Sequence, residues 1–203
     1  MRLVRRLFDT SVFRLVATDE AAPCQARRRV LSYMAGAAAL PMLSLPELSE
    51  AAIKKNARLL AFNHLHTGEK LAIVYKLGND YVPQAMQQLQ HLTRDFRTGS
   101  IHNMDPNLYD LLWHLSQDVK STQPFEIISA YRSPETNQFL RGRNRHTGVA
   151  SHSLHMEGCA MDICLSDVQL TDLRDAALDL KSGGVGYYPE GFIHVDTGRV
   201  RRW

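Results

Sequence analysis

Ser153-Leu154-His155-Met156-Glu157-Gly158-Cys159-Ala160-Met161-Asp162-Ile163 decides how this 203-residue chain is read. His155 and Asp162 offer a borderline nitrogen ligand and an oxygen ligand, a pair suited to Zn²⁺. Gly158 between them permits a tight turn from loop into strand. Along the strand expected over 159–165, Ala160 and Asp162 share one face, so a small side chain beside the carboxylate leaves room for a metal and a substrate. Cys159, Met161 and Ile163 point the other way, toward a core. A third ligand is expected from a neighbouring strand, and Phe192-Ile193-His194-Val195-Asp196 supplies His194, with Asp196 on the same face. Two histidines and one carboxylate leave the fourth tetrahedral position to water, which is the arrangement of a catalytic centre rather than a closed structural one.

Outward from this stretch the chain alternates strand-like and helix-like runs. Leu59–Asn63 and Leu71–Tyr75 flank His66-Thr67-Gly68-Glu69 as a β-hairpin. Pro83 to Phe96 has Met86, Leu89, Leu92 and Phe96 on one helical face. Asp105-Pro106 places an N-cap and an N1 proline before a second helix, with Leu108, Leu111, Leu112 and Leu115 on its apolar face and Trp113 in the core. Phe125 to Tyr131 reads as a strand, Ser133-Pro134 opens a short helix, residues 170–180 form another, and Gly191 to Asp196 completes a final hairpin. The pattern is that of one α+β domain without internal repeats.

Composition agrees with a folded body: 44% of residues are apolar, 22% charged, with 12 Gly and 8 Pro. Seven of the 24 basic residues and three of the 21 acids fall in residues 1–30, so the remainder carries 17 basic against 18 acidic residues. No nucleic-acid footprint is expected on such a body. The basic excess sits in Arg27-Arg28-Arg29, ahead of Ala35-Gly36-Ala37-Ala38-Ala39-Leu40, and no acid occurs between Arg29 and Glu47. A basic region, a short weakly apolar stretch and an arginine pair, in that order, predict an export signal of the twin-arginine type over residues 1–50. The partner would be the twin-arginine export machinery and the destination the periplasm of a Gram-negative cell. The apolar stretch, broken by Pro41 and Pro46, falls short of a membrane span, so none is expected in the mature form. Cys24 lies in the leader. Cys159 and Cys164, about 16 Å apart along a strand, cannot pair.

The string Ser-x-His-x-x-Gly-x-Ala-x-Asp, followed by a strand histidine, resembles the zinc peptidases related to D-Ala-D-Ala carboxypeptidases, VanX dipeptidases and the hedgehog fold. Within that group the likeness is to murein endopeptidases of the MepK type. It extends over Asn63-His64-Leu65-His66-Thr67-Gly68-Glu69, Leu92-Thr93-Arg94-Asp95-Phe96-Arg97, Asp105-Pro106, Ser129-Ala130-Tyr131-Arg132-Ser133 and Phe192 to Gly198. The resemblance implies a zinc peptidase domain over residues 51–203, with a small antiparallel sheet carrying the zinc site and helices flanking it. It also implies periplasmic hydrolysis of peptide crosslinks in peptidoglycan, at bonds containing D-amino acids or diaminopimelate. By position, His155, Asp162 and His194 match the three zinc ligands, and Arg132 matches an arginine near the scissile carbonyl or a substrate carboxylate.

Many relatives carry an acid three residues before the last ligand histidine, where this chain has Gly191. Asp196 is the favoured general base, Glu190 the other nearby carboxylate, and orientation of His194 the alternative role for Asp196. His152 is a further source of a proton or a substrate contact. Arg141, Arg143, Arg145 and His146 form a basic stretch suited to substrate carboxylates. Competing readings are a carboxypeptidase trimming stem peptides and a non-catalytic, zinc-containing wall-binding module. A redox protein is disfavoured by the lack of CxxC or haem motifs.

Overall fold

A computed structural model describes residues 56–142 and 149–203. The export signal expected before residue 51 and the basic positions Arg143, Arg145 and His146 lie outside the described residues. Four helices and eight strands are found within them: β1 Ala57–His64, β2 Lys70–Leu77, β3 Asp80–Tyr81, α1 Pro83–Leu92, α2 Pro106–Asp118, β4 Phe125–Ser129, α3 Pro134–Gly142, β5 Ala160–Cys164, α4 Leu170–Asp179, β6 Gly184–Tyr188, β7 Phe192–Asp196 and β8 Arg201–Arg202.

All eight strands form one sheet in the order β3-β2-β1-β4-β5-β7-β6-β8. This corrects the expectation of a small antiparallel sheet. Pairs β1/β4 and β6/β8 are parallel, so the sheet is mixed as well as large. The N-terminal hairpin joins the strands carrying Asp162 and His194 edge to edge through β4 instead of standing apart from them. Its apolar alternation continues theirs: Leu60, Phe62, Phe125, Ile127, Met161, Ile163, Ile193 and Val195 share one core with Leu89 of α1, Leu108, Leu112 and Leu115 of α2, and Leu173 of α4. Each such buried aliphatic or aromatic side chain contributes about 1.5–3 kcal/mol.

Local chemistry sets the element ends. Asp105 caps α2 by accepting from the Asn107 N–H at 3.0 Å, with Pro106 at the first helical position. The first helix stops at Leu92, short of the expected Phe96. The Thr93 hydroxyl donates back to the Leu89 carbonyl, and the Asp95 carboxylate accepts the Arg97 N–H, turning the chain out of the helix. Asp110 of α2 ties that helix to the hairpin. Its carboxylate accepts from Arg58, Lys76 and the hydroxyls of Tyr75 and Tyr81, all within 2.9 Å. Cys159 is half-buried and not a core residue; it and Cys164 are free thiols.

Candidate metal centre

The site is built across four neighbouring antiparallel strands, β4, β5, β7 and β6. The registers place Gly186 of β6 opposite His194 of β7, His194 opposite Asp162 of β5, and Asp162 opposite Ser129 of β4. A bulge between Ile127 and Ser129 brings Ser129 into that row. His155 enters from the turn before β5. There the Ser153 carbonyl accepts the Met156 N–H and the Leu154 carbonyl accepts the N–H groups of Glu157 and Cys159. Gly158 closes this turn at φ +70°. A Cβ there would lie 2.5 Å from the Asn103 carbonyl oxygen, so the position admits only glycine.

His155, Asp162 and His194 come together as buried side chains, at 3%, 7% and 8% exposure. The Nε2 of His155 is 3.1 Å from the Nδ1 of His194 and 3.3 Å from Oδ1 of Asp162, and His194 Nδ1 is 2.9 Å from the same oxygen. A tetrahedral ion with bonds of about 2.0–2.1 Å needs ligand atoms about 3.3 Å apart, close to this triangle.

The outer hydrogen bonds decide which nitrogens face inward. His155 Nδ1 donates to the Ala130 carbonyl at 2.7 Å, leaving a lone pair on Nε2. His194 Nε2 donates to Asp196 Oδ2 at 3.1 Å, leaving a lone pair on Nδ1. Two lone pairs and a carboxylate oxygen facing one another at this range repel unless a cation or a proton lies among them. The donor set therefore fits a divalent metal.

The pKa shifts describe the same tension. Burial lowers the pKa of His155. Burial also opposes charge on His194, but hydrogen bonds to Asp162 and Asp196 outweigh it and push its pKa up to about 9. Burial alone would raise the Asp162 carboxyl, yet the two imidazoles hold it well below the usual carboxylate range.

Asp196 is fully buried. Oδ1 accepts from the N–H groups of Gly184 and Gly198 and from Arg201 Nη1, at 2.8–3.0 Å; Oδ2 accepts from Arg201 Nη2 at 2.7 Å and from His194. These bonds override its desolvation and lower its pKa. The carboxylate lies at the outer nitrogen of His194, across the ring from the ligand atoms. Glu190 and His152 are exposed, and no hydrogen bond or ion pair of the described residues joins either to His155, Asp162 or His194.

Arg132 follows β4, and its backbone N–H donates to the His155 carbonyl at 3.1 Å. The adjacent Ser133 N–H donates to the buried Asp95 carboxylate at 2.8 Å, which pins this corner. The guanidinium lies 3.8 Å from Asp162 Oδ2 and 3.4 Å from Ser129 Oγ; its buried Nε has no protein hydrogen-bond partner among the described residues. A mostly buried cation with unused donors beside the ligand set suits an incoming oxygen anion. Asp95, Arg201 and Ser129 were not singled out from sequence. Asp95 and Ser129 lie within strings that carry the family resemblance, but their contacts with Ser133 and Asp162 are tertiary, and Arg201 reads as part of a polar tail.

Residues 52–203 match the family model described as peptidoglycan L,D-endopeptidase MepK. The curated relatives include the peptidoglycan L,D-endopeptidase MepK of Escherichia coli K12 and that of Shigella flexneri, each 40% identical over 87% of this chain and 96% of the relative. A probable peptidoglycan L,D-endopeptidase MepK of Haemophilus influenzae is 38% identical over 88% of this chain and 96% of its own length. No solved structure matches the chain. With a matched model spanning the whole described body and relatives covered almost end to end, the chain belongs to the MepK family of peptidoglycan endopeptidases, within the M15 group of metallopeptidases.

Proposed function

We propose that the chain is a zinc enzyme that cuts L,D peptide crosslinks of murein in the periplasm, with residues 1–50 as its twin-arginine export signal and residues 51–203 as the peptidase domain. Its class, a peptidoglycan endopeptidase of the metallopeptidase type, follows from family membership. The finer reading is supported above all by one observation: two imidazole nitrogens and a carboxylate converge within 3.3 Å, beside a mostly buried arginine whose Nε has no protein partner among the described residues. Among the described residues no helix is long and apolar enough to cross a membrane.

His155, Asp162 and His194 would hold the ion. When bound, zinc would polarise the scissile carbonyl and acidify the attacking water. Arg132 is placed to bind the carbonyl oxygen as negative charge develops there, or a neighbouring substrate carboxylate. Asp196 takes the orienting role: its lone pairs are occupied, and it fixes His194 as the Nδ1 ligand, so the general base is a different group.

The test is digestion of purified muropeptides, crosslinked and uncrosslinked, with product masses and with a zinc chelator in a parallel reaction. Chelator-sensitive cleavage of L,D-crosslinked dimers is expected. Cleavage confined to uncrosslinked stems would mark a carboxypeptidase, and zinc content without any hydrolysis would mark a wall-binding module; either outcome overturns the proposal.

A further inference from the structure

The two-residue strand β8 lies parallel to β6, with Arg201 opposite Gly184 and Arg202 opposite Val185. The ladder runs one step further, since the Trp203 N–H donates to the Val185 carbonyl and the Tyr187 N–H to the Trp203 carbonyl. Neighbours in a parallel pair share a face, so Arg201 and Trp203 project on the side of Gly184 and Gly186, the metal face. Arg201 reaches His194 through Asp196, and Trp203 reaches it directly: the indole and imidazole centroids are 5.2 Å apart.

Three further contacts fix the indole. It lies over Gly186, where a Cβ would come within 2.7–2.8 Å of ring atoms, so glycine is what lets the ring settle there. Its Nε1 donates to the Tyr188 hydroxyl at 3.1 Å. The Arg201 guanidinium sits 4.8 Å from the ring centroid. Despite this restraint Trp203 is 51% exposed. A rigid, half-exposed indole beside a metal centre presents apolar area that costs little further entropy when a ligand covers it.

Across the sheet the row runs Trp203, Gly186, His194, Asp162, Ser129, with Arg132 above its last two members. One end is flat and apolar, the other cationic. An extended peptide advances about 3.3 Å per residue. A bond centred over the ligands therefore puts the next residue or two on the indole to one side, and a carboxylate or carbonyl by Arg132 on the other.

We infer that Trp203 is a substrate-positioning residue: its exposed face packs against the aliphatic part of the stem-peptide residue beside the scissile bond, the methyl of an alanyl unit or the methylenes of a diaminopimelyl unit. This rests on the hydrolase reading for the identity of the ligand.

The test uses the full chain, wild type and W203A and W203F variants, with one crosslinked muropeptide as the probe. Binding is measured by calorimetry on chelator-treated protein, and KM and kcat on the zinc-loaded enzyme. W203A should weaken binding and raise KM by about 10-fold or more, with kcat within about threefold and zinc content unchanged. W203F, which keeps a ring over Gly186, should stay within about threefold of wild type on both measures. Unchanged peptide binding by W203A overturns the inference, including the case where its only defect is lost zinc. Should W203A fail to fold, a W113F variant leaves Trp203 as the one indole. Its emission must then shift saturably with added peptide, and a silent emission overturns the inference. Peptide binding that needs Trp203 but is never followed by hydrolysis would sink the hydrolase reading alone. Hydrolysis indifferent to Trp203 would sink this inference alone, and a wild type that neither binds nor cuts the probe overturns both.

Discussion

At the scale of single residues, the division of labour turns on which nitrogen of each imidazole faces inward. The Ala130 carbonyl accepts the Nδ1–H of His155, and Asp196 accepts the Nε2–H of His194, so each ring turns its other nitrogen toward one point. Asp196 is in turn held by two backbone N–H groups and by Arg201. Asp196→Asn is therefore expected to weaken zinc affinity by about 10–100-fold, with kcat at saturating zinc within about tenfold of wild type. Metal titration followed by steady-state kinetics checks this. Unchanged zinc affinity with kcat down by about 10²–10⁴ would restore Asp196 as the general base. Sequence could place Asp196 on the face of His194, because alternation along a strand is a local property. It could not say that the carboxylate meets the outer nitrogen, because that depends on Gly184, Gly198 and Arg201 converging on it from three other positions.

Among the elements, those with strong periodicity were legible: the Leu-rich face of α2 with its Asp105 cap, the hairpin β1–β2, and the strands carrying Asp162 and His194. Elements whose definition is tertiary were not. Arg201-Arg202 reads as a polar tail, and only its pairing with β6 makes it a strand. Asp110 looks like a solvent-facing acid on an amphipathic helix, yet four donors from β1, β2 and β3 meet it. The end of β1 carries a further consequence. His64 is buried, and its Nδ1 accepts the N–H groups of His66 and Thr67 at 3.2 and 3.4 Å, so its proton sits on Nε2. Burial, followed by the neighbouring His66, lowers its pKa from 6.5 to about 4. The folded state thus keeps His64 neutral where the unfolded chain protonates it. The stability this contributes is present above pH 6.5 and is lost as pH falls toward 4, by about 2.5 kcal/mol between pH 7.5 and 4.5. His64→Asn, whose amide oxygen can replace Nδ1 as acceptor, should flatten that dependence in urea unfolding. Equal pH slopes for variant and wild type would contradict the assignment.

Over the whole molecule, one sheet does two tasks on its two faces. The face bearing Phe62, Ile127, Ile163 and Ile193 packs under the helices, and the opposite face of the sheet carries the row from Gly186 to Ser129 that includes the candidate ligands His194 and Asp162. The size of the sheet was missed because nothing local announces that β1 will lie parallel to β4, which joins two hairpin systems into eight strands. Continuous pairing matters here, since a metal site tolerates little error in ligand position. The most direct measurement is zinc stoichiometry by elemental analysis of the purified full chain, combined with X-ray absorption at the zinc edge. One zinc per chain is expected, with two imidazole nitrogens and oxygen donors at about 2.0–2.1 Å, and loss of the ion in His155→Ala and Asp162→Ala variants that stay folded. A chain that binds no zinc, or whose zinc persists unaltered in both variants, would contradict the account.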